Sequence, residues 1–130
     1  MKLNHIGIVV RDIETEAAFY KELGFSASEL IINESQNVKE IFVSQNSNVT
    51  IELLEPLNKT SPVYNFLNNK GGGVHHLCYE INEDIDVFLT KQRKEGAVII
   101  CKPIYDIAFD NRIAFFYKQR KMIEVVEILQ

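Results

Sequence analysis

Four residues have the types and the spacing for metal chemistry: His5, Glu52, His76 and Glu124. His5 opens the apolar, β-branched string HIGIVV, and His76 opens HLCYEI. Glu52 and Glu124 sit in closely similar strings, Ile51-Glu52-Leu53-Leu54-Glu55 and Ile123-Glu124-Val125-Val126-Glu127. His5 and Glu52 are 47 positions apart, and His76 and Glu124 are 48. A carboxylate in the middle of an apolar strand needs a partner, because burying an unpaired charge is costly. One such Glu, or one such His, reads as an ordinary edge or half-buried residue. The same pair at the same offset twice reads as a site. Two neutral imidazoles and two carboxylates balance the charge of one divalent ion per chain. Mixed nitrogen and oxygen ligation suits Co²⁺, Ni²⁺, Mn²⁺, Fe²⁺ or Zn²⁺. An octahedral ion with four protein ligands keeps two positions for vicinal oxygens of a substrate, where it would act as a Lewis acid toward an enolate or enediolate. A thiol-ligated zinc site is excluded, since the only cysteines are Cys78 and Cys101 and no CxxC occurs.

Placing those four groups is the task of an internal repeat. HIGIVV reads as a strand, and Asp12 as the cap of a helix carrying Ile13, Ala17, Phe19, Tyr20 and Leu23 up to Gly24. Strands are expected at 28–33, 38–43 and 49–55, the last two joined by a turn at 45–48, with Pro56 closing the unit. The order βαβββ recurs. His76–Ile81 is a strand, Asp84 caps a helix running to Gly96, and strands follow at 97–101, 112–117 and 123–129. The spacing therefore predicts an α+β chain of two tandem βαβββ modules, whose curved mixed sheets form a metal-binding cup. The modules span 1–57 and 74–130. Residues 58–73 form a linker with a short helix, capped by Ser61 with Pro62 in its first turn and ending near Asn69. Gly71-Gly72-Gly73 lacks the context of a phosphate loop. Side chains alternate along a strand, so Glu52 and Glu124 face the cup while Glu55 and Glu127 face away. Of His75 and His76, only one faces the cup.

The totals narrow the function classes. With 130 residues, 46% of them hydrophobic and 25% charged, the composition is that of a soluble globular domain. A net charge of −4 without a Lys/Arg block argues against a nucleic-acid partner. The N-terminal apolar run is too short for a membrane span or a signal peptide, so no membrane partner and a cytoplasmic location are expected. Two reduced thiols agree with that compartment. Exposed strand edges on so small a chain predict a homodimer.

The segments HIGIVVRDIETEAAFYKELGF and VTIELLEPLNKTSPVYNFLNNKGGGVHHLCYEI resemble the vicinal oxygen chelate superfamily. That superfamily takes in glyoxalase I, methylmalonyl-CoA epimerase, extradiol dioxygenases and bleomycin-resistance proteins, and the resemblance is closest to the epimerase-like branch. It covers essentially the whole chain. The resemblance implies that His5, His76 and Glu124 are metal ligands and that Glu52 holds the remaining ligand position. It places Glu40 at the position of a proposed general base. Two stretches depart from the epimerase pattern: Tyr117-Lys118-Gln119-Arg120 stands where an HPK element is usual, and YDIAFDNR at 105–112 replaces a glycine-rich loop.

Proton abstraction next to a carbonyl needs a base near the ion. Glu40 lies twelve positions before Glu52, and Arg112 lies twelve before Glu124. Register thus suggests Glu40 as base and Arg112 as a contact for a substrate anion or carboxylate. Glu40 as a solvated strand residue is the competing reading. Glu124 is the other base candidate, as the resemblance to glyoxalase I implies. Cys78 shares strand parity with His76 but has no evident activating partner. Three functions stay open. One is an isomerase or epimerase moving a proton next to a metal-bound carbonyl, acting on a CoA or other thiol adduct. The second is a glyoxalase I-type lyase acting on a thiol hemithioacetal. The third is a metal-free antibiotic-binding protein.

Overall fold

The computed structural model describes residues 1–46 and 49–130. It is α+β, with nine strands and three helices among the described residues, arranged as two tandem βαβββ modules. The chain groups into two compact units, His5–His75 and Met1–Asn4 with His76–Gln130.

In the first module, β1 (Lys2–Val9) is followed by α1 (Ile13–Glu22), β2 (Ser26–Ala27), β3 (Ile31–Asn33), β4 (Val38–Ser44) and β5 (Thr50–Pro56). The strands order β2-β4-β5-β1, with β3 also on β4. β1 and β5 are parallel, so the first and last strands of the module are neighbours. Asp12 caps α1 as expected, its carboxylate accepting the Thr15 N–H at 3.2 Å. The strand expected at 28–33 is two short pieces instead. Ser28 takes both backbone groups of Phe42, its N–H donating to the carbonyl at 2.8 Å and its hydroxyl accepting the N–H at 2.9 Å, which interrupts the ladder. The turn expected at 45–48 includes residues 47 and 48, which lie outside the described residues. The linker helix α2 (Tyr64–Lys70) begins later than predicted. Ser61 and Pro62 form the turn before it, where the Ser61 hydroxyl accepts the Val63 N–H at 3.4 Å. At Gly72, φ is +104°, and an added Cβ would meet the Val9 carbonyl oxygen at 2.7 Å, so only glycine fits.

The second module runs β6 (Gly73–Ile81), α3 (Ile85–Lys94), β7 (Val98–Asp106), β8 (Asn111–Lys118) and β9 (Lys121–Glu127). Its order is β6-β9-β8-β7, and β6 and β9 again pair in parallel. Asp84 caps α3 by accepting from Asp86 and Val87 at 2.9 and 3.1 Å. β7 runs five residues past its expected end at Cys101 and carries two register shifts against β8. β9 stops at Glu127, and Leu129, expected in the strand, is exposed.

Each module buries a core between helix and sheet. Ile41, Val43 and Leu53 meet Val10, Ile13 and Ala17 in the first. Ala114, Phe116 and Val125 meet Ile85, Phe88 and Leu89 in the second. Each such apolar side chain contributes about 1.5–3 kcal/mol of transfer free energy. Alternation then commits the opposite strand face, which includes Glu40, Phe42, Glu52 and His5 in the first unit, to other work. Among the described residues, no helix is long and apolar enough to cross a membrane.

Candidate metal centre

In the first unit, His5 is fully buried and Glu52 is 2% exposed. The parallel register sets Gly7 beside Glu52, so that His5, one pleat earlier on the same face, reaches the carboxylate. His5 Nε2 lies 3.2 Å from Glu52 Oε1. Phe42, directly across β4 from Glu52, meets the His5 ring edge-on at a centroid distance of 5.8 Å. That contact fixes the plane of the imidazole.

The second unit repeats the arrangement. His76 and Glu124 are each 3% exposed, with Nε2 and Oε1 3.2 Å apart. Phe115 pairs opposite Glu124 and meets the His76 ring edge-on at 5.2 Å. Cys78, also opposite Glu124 and fully buried, packs with Ile113 and Val126, which gives it a structural role. His75 turns the other way and stacks edge-on against Phe66. Sequence reasoning missed the two phenylalanines. Their signal was a Phe on the penultimate strand of both modules, in KEIFV and RIAFF.

His5 with Glu52, and His76 with Glu124, give each unit a buried imidazole and a buried carboxylate, residue types that hold metal ions. The donor chemistry fits a divalent ion: two imidazole nitrogens and two carboxylates, all buried, where a carboxylate demands compensating positive charge.

Glu40 is 2% exposed, so the solvated alternative is excluded. It sits opposite Leu54 in the β4–β5 ladder, on the strand face of Glu52 and Phe42. Asn33, fully buried at the end of β3, donates its side-chain N–H to Glu40 Oε1 at 2.8 Å.

Arg112 is not the structural counterpart of Glu40. Glu40 pairs with Leu54, two residues past Glu52, whereas two past Glu124 comes Val126, whose partner is Ile113. Between matched pairs, the β8–β9 connection is one residue shorter than the β4–β5 connection, which shifts the register by one. Arg112 corresponds to Lys39 and shares its task. Its Nε and one terminal nitrogen grip Glu127 at 3.1 and 2.8 Å, and the other terminal nitrogen reaches Asp86 at 3.0 Å. Lys39 meets Glu55 at 3.3 Å. These pairs hold the outward-facing glutamates at the helix starts. Glu55 accepts the Ile13 N–H at 3.0 Å, and Glu127 accepts the Ile85 N–H at 2.9 Å.

Comparison with known proteins agrees with this fold. A family model described as the glyoxalase/bleomycin resistance protein/dioxygenase superfamily matches residues 4–115. The mitochondrial methylmalonyl-CoA epimerase of Homo sapiens is 45% identical over 96 residues, which is 72% of this chain and 54% of that protein. The ethylmalonyl-CoA/methylmalonyl-CoA epimerase of Cereibacter sphaeroides is 39% identical over 101 residues, 76% of this chain and 74% of that one. The chain spans about half the length of the mitochondrial relatives it matches. A variant of the Streptomyces coelicolor methylmalonyl-CoA epimerase in complex with 2-nitronate-propionyl-CoA superposes with a TM-score of 0.86 at 26% identity, covering 98% of this chain and 96% of the other. Two modules of one design, each presenting a buried His–Glu pair, and a family match over most of the length lead to one statement: the chain belongs to the glyoxalase/bleomycin resistance protein/dioxygenase superfamily.

Proposed function

We propose that this protein is a divalent-metal-dependent epimerase, moving a proton at the carbon next to the carbonyl of a CoA thioester of the methylmalonyl type. The observation that carries the reading is the duplicated pair, a buried His 3.2 Å from a buried Glu in both units. The substrate class is supported by relatives that act on methylmalonyl-CoA by name. His5, Glu52, His76 and Glu124 would hold the ion. When bound, it supplies Lewis acidity at the thioester oxygen and so lowers the cost of removing the α-proton.

Glu40 takes the α-proton. Its burial keeps water from competing, and its bond from Asn33 sets its direction. Inversion also requires a proton delivered to the opposite face of the planar carbanion. A carboxylate that holds the ion carries no proton to return, so Glu124 serves as the alternative base only when released from the ion. Arg112 is omitted from the substrate site because its guanidinium serves Glu127 and Asp86.

The test is solvent exchange. Protein reconstituted with Co²⁺ and given methylmalonyl-CoA in D₂O should replace the α-proton with deuterium, followed by ¹H NMR, and interconvert the two epimers. A methylglyoxal–glutathione hemithioacetal offered in parallel should not be turned over. No exchange with any of Co²⁺, Ni²⁺, Mn²⁺ or Zn²⁺ would sink the proposal.

A homodimer belongs to the same proposal. Support comes from β7, the terminal strand in its unit's order, where Val98 and Ile100 are 59% and 54% exposed. A concentration-independent monomer mass by light scattering would refute it. A cytoplasmic location belongs to the same proposal; with Cys78 and Cys101 as its only cysteines, the chain carries no disulfide framework.

A further inference from the structure

The two modules differ at a pair of matched positions. Asn33 and Asp106 each end a strand before a four-residue turn, Asn33 pairing with Val38 and Asp106 with Asn111. Both are buried, at 0% and 1% exposure. Both use a side-chain oxygen to hold the turn. Asn33 Oδ1 accepts the Gln36 N–H at 3.2 Å and the Ser35 hydroxyl at 2.8 Å. Asp106 Oδ1 accepts the Ala108 N–H at 2.9 Å. For the turn, then, an aspartate is sufficient.

What Asn33 adds is a donor. A backbone N–H can only donate, so the Gln36 bond fixes which end of the amide is oxygen. The amide NH₂ is therefore aimed at Glu40 Oε1, at 2.8 Å. The residue matched to Glu40 in the second module is Ile113, which offers nothing to donate to. The amide occurs in the module that has a buried carboxylate to receive it, and a carboxylate stands in its place where there is none.

We infer that Asn33 is a positioning residue for proton transfer: its amide, locked by the turn at 34–37, holds the Glu40 carboxylate in one orientation toward the reacting carbon. This rests on the reading of Glu40 as the base. A carboxylate on a free glutamate side chain samples several rotamers, and a misplacement of about 1 Å at a reacting group costs about 10²-fold in rate. Asn33 removes that freedom at one oxygen while the turn removes it from Asn33.

The substitution Asn33→Asp tests this role, because it preserves the acceptor for Gln36 and Ser35 and replaces the donor to Glu40 with a second carboxylate. Four full-length proteins are compared, each loaded with Co²⁺: the native chain, Asn33→Asp, Glu40→Gln and the double variant. Asn33→Asp should lower kcat for α-proton exchange of methylmalonyl-CoA by about 10–100-fold while KM and metal content stay within about two-fold. In the Glu40→Gln background, Asn33→Asp should cause no further loss of rate. The double variant should also regain Tm relative to Asn33→Asp, because a glutamine amide then donates to the aspartate, so a poorly folding single variant is still interpretable. Equal rate losses in the two backgrounds, or a native rate in Asn33→Asp while Glu40→Gln is inactive, overturn the inference. A native chain that exchanges nothing overturns the epimerase reading and this inference with it.

Discussion

Glu127 receives Arg112 through both carboxylate oxygens, at 3.1 and 2.8 Å, and spends one of those oxygens again on the Ile85 N–H at 2.9 Å. One side chain thus joins the end of β9, the start of β8 and the first turn of α3. The Arg112 hydrogen bonds hold the Glu127 carboxyl below its ordinary value of 4.5, the Ile85 N–H adds to the effect, and burial opposes it. A carboxyl whose pKa falls on folding stabilises the fold above its unfolded pKa and loses that contribution as pH falls through the lowered value. Arg112→Ala should therefore lower Tm at pH 7, and the gap from the native chain should close as pH drops below 4.5. Thermal melts by circular dichroism from pH 7 to pH 3 measure it. A gap that is constant across that range would show that the pairing does not matter.

The matched glutamates make a second prediction. Glu55 and Glu127 each satisfy a backbone N–H that the first turn of a helix leaves without a helical partner. Glu55→Ala should cost about 1 kcal/mol in urea unfolding. Glu55→Gln, which keeps an acceptor oxygen, should cost roughly half as much. Equal costs would mean that charge, rather than the acceptor, is what the helix start uses.

Turn chemistry gives a third. Gln119 and Arg120, between β8 and β9, both have positive φ, +52° and +63°. A two-residue hairpin of that conformation favours Asn-Gly, and non-glycine residues there carry strain of about 1 kcal/mol or more each. Replacing Gln119-Arg120 with Asn-Gly should raise the unfolding free energy by about 1 kcal/mol and leave α-proton exchange unchanged. A lower Tm would contradict the reading of this turn.

Metal removal supplies a fourth. Under the proposed ligation, chelation should lower Tm, since an ion at a hundredfold its Kd adds about 2.7 kcal/mol to stability. Glu52→Gln and Glu124→Gln should each weaken Co²⁺ binding in calorimetric titration, because a neutral amide is a poorer partner for a divalent ion. Glu40→Gln should bind Co²⁺ as the native chain does. Loss of binding in Glu40→Gln would move that residue from base to ligand.

The sequence revealed most where a period or a duplication spoke. Helices α1 and α3 were legible because Asp12 and Asp84 cap runs of helical spacing that end at glycines, and His5 and His76 were legible because each opens an apolar string of the repeat. The split between β2 and β3 was not, since it depends on a Ser28 hydroxyl replacing a ladder bond. The register match of Arg112 with Glu40 failed because counting along the chain cannot locate compensating irregularities. The shifts in β7 and the short hairpin after β8 cancel over the whole module but not at position 112. The helix-capping work of Glu55 and Glu127 was hidden in the same string that revealed Glu52 and Glu124. Strand alternation sends the second glutamate of each string outward, and only the fold shows what waits there.

The parallel pairing of each module's first and last strands also decides how the protein bears force. A pull between the start of β1 and the end of β5 runs along the Ile6–Val9 and Ile51–Leu54 ladder, loading all its hydrogen bonds at once in shear. An antiparallel hairpin pulled at its open end would unzip one bond at a time. The ladder of Leu77–Ile81 with Ile123–Glu127 has the same geometry. Each His–Glu pair is anchored on the two strands of such a ladder, so tension along the chain meets its stiffest element where the donor atoms most need to keep their spacing.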